Sequence, residues 1–179
     1  MTPSETITIV EHELDDKDTE ALQELLGECF PAFLSDRIFY KQLPDFRVLR
    51  RQGGQLVGQV GVDHRMIRVG QTPLEIFGVV DLCVAPDFRS CGHGEELLRA
   101  VERKAVAHDI DGIMLFADDH RLYDRCQYEQ IERKVTWLGI DEFESLGVLV
   151  DTLSGCMMVK PLTVAGWPAG DIDMMGYLF

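Results

Sequence analysis

The segment DLCVAPDFRSCGHGEELLRAVE, residues 81–102, constrains the fold more than any other part of the chain. It reads as a short apolar strand, a turn built on Gly92 and Gly94, and a helix carrying Leu97, Leu98, Val101, Ala105 and Val106 as one apolar stripe. GIMLFA, residues 112–117, follows; it is short and wholly apolar, the pattern of a strand buried on both faces. Strand, helix and buried strand in that order make a β-α-β unit.

Ahead of this unit the pattern is that of an antiparallel meander. FRVLRRQ, QLVGQVGVDHRMIRV and LEIFGVVDLCV are strand-like, and the links at Gly53-Gly54 and Gly70-Gln71 have hairpin length. Gly58 and Gly61 inside the middle strand signal a bulge or a close backbone approach. At the amino end, residues 6–14 suit a first strand. Residues 15–30 suit a helix capped by Asp16 or Asp18, with Leu22, Leu25, Leu26 and Phe30 on one face. FLSDRIFYKQL offers a second short helix, and DDHRLYDRC a third capped by Asp118 or Asp119. Residues 128–140 form a further strand, GCMMVKPL the last one, and residues 167–179 an irregular tail. With 179 residues, no repeat and no linker, the chain reads as one domain, 1–179, of mixed α/β class.

The bulk properties narrow the partners. A formal net charge of −14 argues against nucleic acid and anionic membrane as partners and is compatible with a cationic substrate. No apolar run approaches the roughly 20 residues that span a bilayer, and the first residues lack a secretory pattern, so a cytoplasmic location is expected. The five cysteines (Cys29, Cys83, Cys91, Cys126 and Cys156) have neither disulfide-framework nor zinc-site spacing, and read as reduced thiols, mostly core filler, with no metal site. A homodimer is compatible with the sequence, which does not itself give the oligomeric state.

The glycine turn has two readings. A helix start leaves its first N–H groups unpaired and adds partial positive charge, so glycines there let backbone approach a pyrophosphate, with Arg89 as a cation at the rim. Taken alone, such a turn is more often ordinary chain reversal than a ligand site. It is not a P-loop, which needs Gly-Lys-Ser/Thr, nor a dinucleotide fingerprint, which needs a third glycine.

In full, LCVAPDFRSCGHGEELL resembles the hallmark segment of the GCN5-related N-acetyltransferase (GNAT) family: a strand, a proline, then Arg-x-x-Gly-x-Gly opening a helix, matched here by Arg89, Gly92 and Gly94. HRLYDRCQY resembles that family's second landmark, with Tyr123 and Tyr128 in place but Gln127 where glycine is usual. The resemblance covers residues 51–140. It implies a central mixed sheet, mostly antiparallel and flanked by helices, and acetyl-coenzyme A as co-substrate. The turn residues Arg89, Cys91, Gly92, His93, Gly94 and Glu95 would hold the pyrophosphate, and the strand Leu82, Cys83 and Val84 the pantetheine arm. The hairpin QLVGQVGVDHRMIRVGQTPL, the RLY around Tyr123 and a carboxylate-bearing tail are similar to aminoglycoside 2'-N-acetyltransferases.

The implied activity is acetyl transfer to a primary amine of a small molecule, aminoglycoside- or polyamine-like. The alternatives are acetylation of a protein or peptide amine, or a non-catalytic acyl-coenzyme A sensor. Tyr123 is the candidate general acid, a phenol neutral at pH 7 that can protonate a departing thiolate. Asp81 is the candidate base. Related sequences often place that acid one residue earlier, where Val80 stands, so Asp81 faces the wrong side of its strand unless a bulge re-aims it. Glu75, His64 or a water relay could substitute. His93 reads as a solvent-facing loop residue, and Cys91 has no basic neighbour to make it a nucleophile, so direct transfer is expected. Asp36, Asp171, Asp173 and the terminal carboxylate of Phe179 are candidates for binding the amine.

Overall fold

The computed structural model describes residues 3–179. They form two compact units, Met1–Asp63 with Val80–Val101, and His64–Val79 with Glu102–Phe179. Strands β3 (Gln55–Val69) and β4 (Thr72–Val84) run from one into the other. The fold is the mixed α/β architecture expected.

In the first unit β1 (Ser4–Val10), β2 (Phe46–Gln52) and β3 pair antiparallel. The β2–β3 register slips by one residue between Arg50 and Arg51, beside Gly58. That glycine also meets the expected close approach: a Cβ there would lie 3.0 Å from the Cys83 carbonyl and 3.2 Å from Leu97. Helix α1 (Asp16–Cys29) buries Leu22, Leu25 and Leu26 against Leu49, Leu56, Cys83 and Ala85. Its cap is Asp15, not Asp16 or Asp18; the Asp15 carboxylate accepts from the Asp18 amide at 2.7 Å. The expected helix over 33–43 does not form. Those residues make turns and bends, closed off by Pro44.

The second unit holds a mixed sheet in the order β6-β9-β5-β4-β3-β10-β7-β8. Here β5 is Gly112–Phe116, β6 Glu129–Gln130, β7 Arg133–Asp141, β8 Glu144–Leu153, β9 Met157–Pro161 and β10 Ile172–Tyr177. Strand β4 runs parallel to β5 and β10 parallel to β7, among antiparallel neighbours. Its core is Ile67, Val69, Ile76, Met114, Val135, Met157, Val159, Ile172 and Met174. The tail is therefore not irregular: Ile172 and Met174 alternate inward, so the segment inserts as a strand between β3 and β7. Phe179 ends against Gly78, where any side chain would collide with its ring.

Helix α2 (His93–Ala107) buries Leu97, Leu98, Val101 and Ala105 as expected, while Val106 is exposed. The short α3 (Arg121–Arg125) starts at His120, although Asp119 still accepts from the Arg121 amide at 3.1 Å. Among the described residues no helix is long and apolar enough to cross a membrane.

Candidate active site

The turn between β4 and α2 has the form an anion cradle needs. Ser90 and Gly92 both have positive φ, 61° and 82°, which folds the chain back just before α2 begins at His93. A Cβ placed on Gly92 would meet nothing within 4 Å, so the chain is open at that position. The first amides of α2 lack intrahelical partners and carry the positive end of the helix dipole. Cys91 and Gly92 are exposed.

One neighbour differs from expectation. His93 is not solvent-facing: it is 6% exposed, its Nδ1 accepts from Arg50 Nε at 3.3 Å, and its ring lies edge-on to Phe88. Burial and the Arg50 charge lower its pKa, so it stays neutral and holds the turn from beneath. Arg89 folds back, donating from Nε to the Val84 carbonyl at 3.1 Å and tying the end of β4 to the turn. Cys29 Sγ reaches the same carbonyl at 3.6 Å. A hydrogen bond with Cys83 and the proximity of Arg89 bring the Cys29 thiol down to about 7 against the opposing effect of burial. Of the five free cysteines only Cys83 is buried, so they are not mostly core filler.

Asp81 lies one short strand before the turn, with φ at 48°. A left-handed residue breaks the two-residue alternation of β4 and re-aims the side chain, as a bulge does. The break is braced: the Asp81 carbonyl accepts from Gln59 Nε2, and Gln59 Oε1 accepts from Arg47 at 3.1 Å. Arg47, itself buried, grips Glu11 with bonds of 2.7 and 2.9 Å and reaches the Ile38 carbonyl at 2.7 Å. Burial raises the Asp81 pKa, while the charges of Arg47 and Lys41 pull the other way. Burial lowers the Lys41 pKa, against the field of Asp81.

Tyr123 lies on α3 in the other unit. Its ring meets Tyr128 edge-on at 5.9 Å, and its carbonyl accepts from the Tyr128 amide at 3.0 Å. Burial first, then Asp119 and Cys126, push its phenol up to about 12. Across the neutral range it therefore holds its proton and can only donate. The loop that seats Tyr128 passes through Gln127 at φ 63°, which explains why glycine is the usual residue there.

The model of the acetyltransferase (GNAT) family matches residues 19–128, more than half of the chain. The chain belongs to the GNAT family. Solved structures agree at the level of fold. A GNAT acetyltransferase from Brucella melitensis in complex with acetyl-CoA is 13% identical with a TM-score of 0.59, the match covering 94% of each chain. YhbS, a GNAT N-acetyltransferase from Escherichia coli in complex with CoA, is 14% identical with a TM-score of 0.61, covering 94% of this chain and 89% of that one. Against a GCN5-related N-acetyltransferase from Kribbella flavida, 14% identical with a TM-score of 0.55, 71% of this chain matches and spans only 33% of that protein. No curated protein matches. The likeness to aminoglycoside 2'-N-acetyltransferases finds no support among these relatives.

The GNAT landmarks thus fall into two groups. Asp81, Leu82, Cys83, Val84, Arg89, Cys91, Gly92, His93, Gly94 and Glu95 cluster in the first unit, and Tyr123 belongs to the second. The candidate acceptor acids are divided between the two units. Asp36 is exposed on the 30–45 segment of the first unit. In the second unit Asp173 is engaged by Arg68 at 2.9 Å and by the Met175 amide at 3.0 Å, while Asp171 accepts from Gly70 through its backbone carbonyl. The substitutes for Asp81, His64 and Glu75, form an exposed pair at 2.6 Å. Sequence reasoning missed the brace of Glu11, Arg47 and Gln59, whose members are scattered over three elements. The one available signal was local: Arg47 stands beside apolar Phe46, Val48 and Leu49, and Gln59 lies inside the run LVGQVGV.

Proposed function

We propose that this GNAT protein is an acetyl-CoA-dependent N-acetyltransferase that passes acetyl directly from the thioester to a primary amine of a small cationic molecule, aminoglycoside- or polyamine-like. The observation that carries the reading is the open, left-handed turn at Gly92 at the head of α2, in the family's Arg-x-x-Gly-x-Gly setting. A positive-φ turn leading into the unpaired first amides of a helix fits a bound pyrophosphate. Acetyl-CoA supplies the acetyl group as an activated thioester.

The chain's own residues then divide the work. The amides of residues 92–95 receive negative charge, and Arg89 fixes the turn to β4 through Val84. Strand residues Leu82–Val84 orient the donor's arm. Asp81, with its pKa raised by burial, accepts the proton of the incoming ammonium directly or through water. Tyr123, protonated throughout the neutral range, hands a proton to the departing thiolate. The net charge of −14 favours a cationic acceptor over an anionic one.

The test is thiol release from acetyl-CoA with spermidine, an aminoglycoside and a lysine-containing peptide as acceptors. The reading predicts turnover with a polycationic small molecule, cut about 100-fold or more by Tyr123→Phe with acetyl-CoA binding retained. Turnover of the peptide alone would reverse the choice of acceptor. Binding without turnover of any amine would leave a sensor.

A further inference from the structure

Two of the five free thiols meet inside the first unit, where the end of α1 packs on β4. Cys29 is the last residue of α1, and Cys83 lies in the strand segment Leu82–Val84. Cys83 belongs to the core cluster that α1 covers, and Cys29 packs against that cluster. The Cys29 sulfur is hydrogen-bonded with the Cys83 thiol. It also lies 3.6 Å from the Val84 carbonyl and 4.0 Å from Arg89 Nη2. Arg89 is kept at that place because its Nε donates to the same carbonyl at 3.1 Å. A thiol, a carbonyl and a guanidinium therefore converge on one sulfur.

The two thiols are chemically unequal. The hydrogen bond from Cys83, opposed by burial and aided by Arg89, brings Cys29 down to about 7, although the Glu28 carboxylate works against it. Cys29 is also partly open to solvent, so a share of it is an accessible thiolate at neutral pH. Cys83 is buried, and its hydrogen bond with Cys29, then burial, raise its pKa, so it keeps its proton. Burial raises Cys156 as well. An accessible thiolate beside a second thiol is the arrangement of a peroxide-reactive cysteine and its resolving partner. We infer that Cys29 is a site of oxidative modification, where a hydroperoxide forms a sulfenic acid and Cys83 then closes a reversible disulfide between α1 and β4. In the first step the Cys29 sulfur takes the terminal oxygen of the hydroperoxide, the O–O bond breaks, and an alcohol leaves, or water when the oxidant is hydrogen peroxide. In the second step the Cys83 sulfur attacks Cys29 and the S–O bond breaks. The departing hydroxide leaves as water with the Cys83 proton. The two thiols together lose two electrons, and the peroxide accepts them.

Peptide mass analysis of the full chain tests the inference without any acetyl donor or acceptor, so it stands apart from the enzymatic reading. Trypsin cuts after Lys17, Arg37, Arg68 and Arg89, which puts Cys29 in the peptide 18–37 and Cys83 in the peptide 69–89. After treatment of the folded chain with one equivalent of hydrogen peroxide, then alkylation, these two peptides are expected to be joined, and to separate on reduction with dithiothreitol. Cys91 is more exposed than Cys29, so oxidation of Cys29 ahead of Cys91 distinguishes reactivity from mere access. With Cys83→Ala the reaction should stop at a Cys29 sulfenic acid, trapped by dimedone on the peptide 18–37. With Cys29→Ser, Cys83 should stay reduced, and the rate of peroxide consumption should fall about tenfold or more. A wild type that forms no link between 29 and 83 would overturn the inference. So would faster loss of Cys91, Cys126 or Cys156 than of Cys29, or undiminished peroxide consumption by Cys29→Ser.

Discussion

Asp81 has the left-handed backbone angle that its proposed role as base requires. Its φ of 48° costs on the order of 1 kcal/mol or more for a residue with a Cβ, and aspartate is among the side chains that tolerate it best. Folding raises its pKa, so the native state binds the proton more tightly than the unfolded chain does. Stability associated with this group is then present below its unfolded pKa and is lost as pH rises through the folded value. Asp81→Asn is accordingly expected to raise Tm at pH 7.5 while lowering turnover, and to abolish the acid limb of the pH–rate profile, along which wild-type activity falls as Asp81 is protonated. A variant that loses activity but keeps that limb would assign the limb to another group. Gln127 makes the opposite case. Its left-handed φ of 63° serves a loop that glycine makes without strain. Gln127→Gly should stabilise the fold by about 1 kcal/mol in urea unfolding, with turnover preserved.

Among the elements, those with strong periodicity were legible and those that depend on partners were not. The meander, α2 and β5 follow from alternation and stripe, because burial on one face or both writes itself into the residue types. Strand β10 is masked by the two glycines, one proline and two aspartates of residues 167–179, yet it forms because β3 and β7 leave a slot that Ile172 and Met174 fill. Strand β8 is not legible because its apolar residues, Leu146, Val148, Leu149, Val150 and Leu153, show no two-residue alternation and nine of its ten residues are exposed. The stretch over 33–43 has helix-like spacing but is spent on turns, where Leu34 packs into the core under α1 and the Ile38 carbonyl caps Arg47. Gly58 is a contact point, as its place inside a strand implies, and its neighbours give the consequence. Gly58→Val would push β3 off the Cys83 carbonyl and Val84, costing about 1–3 kcal/mol, and should weaken acetyl-CoA binding more than a surface change of equal stability does. Equal loss in both would reduce the effect to stability alone.

At the scale of the molecule, the candidate site was readable where it is local and unreadable where it is assembled. The cradle lies within about fifteen consecutive residues, so its strand, turn and helix could be recognised together. The brace behind Asp81 draws on Glu11, Arg47 and Gln59, which no short motif records. The central claim remains that the open turn at Gly92 holds the donor's pyrophosphate. Titration calorimetry with acetyl-CoA on wild type, Gly92→Glu and Gly54→Glu tests it most directly. The last is a matched control: Gly54 has φ 85° against 82° at Gly92, and both have open space above them, but Gly54 lies in the β2–β3 turn. The account predicts binding to wild type and to Gly54→Glu, and none to Gly92→Glu. Binding that survives in Gly92→Glu, or fails in wild type, would contradict it.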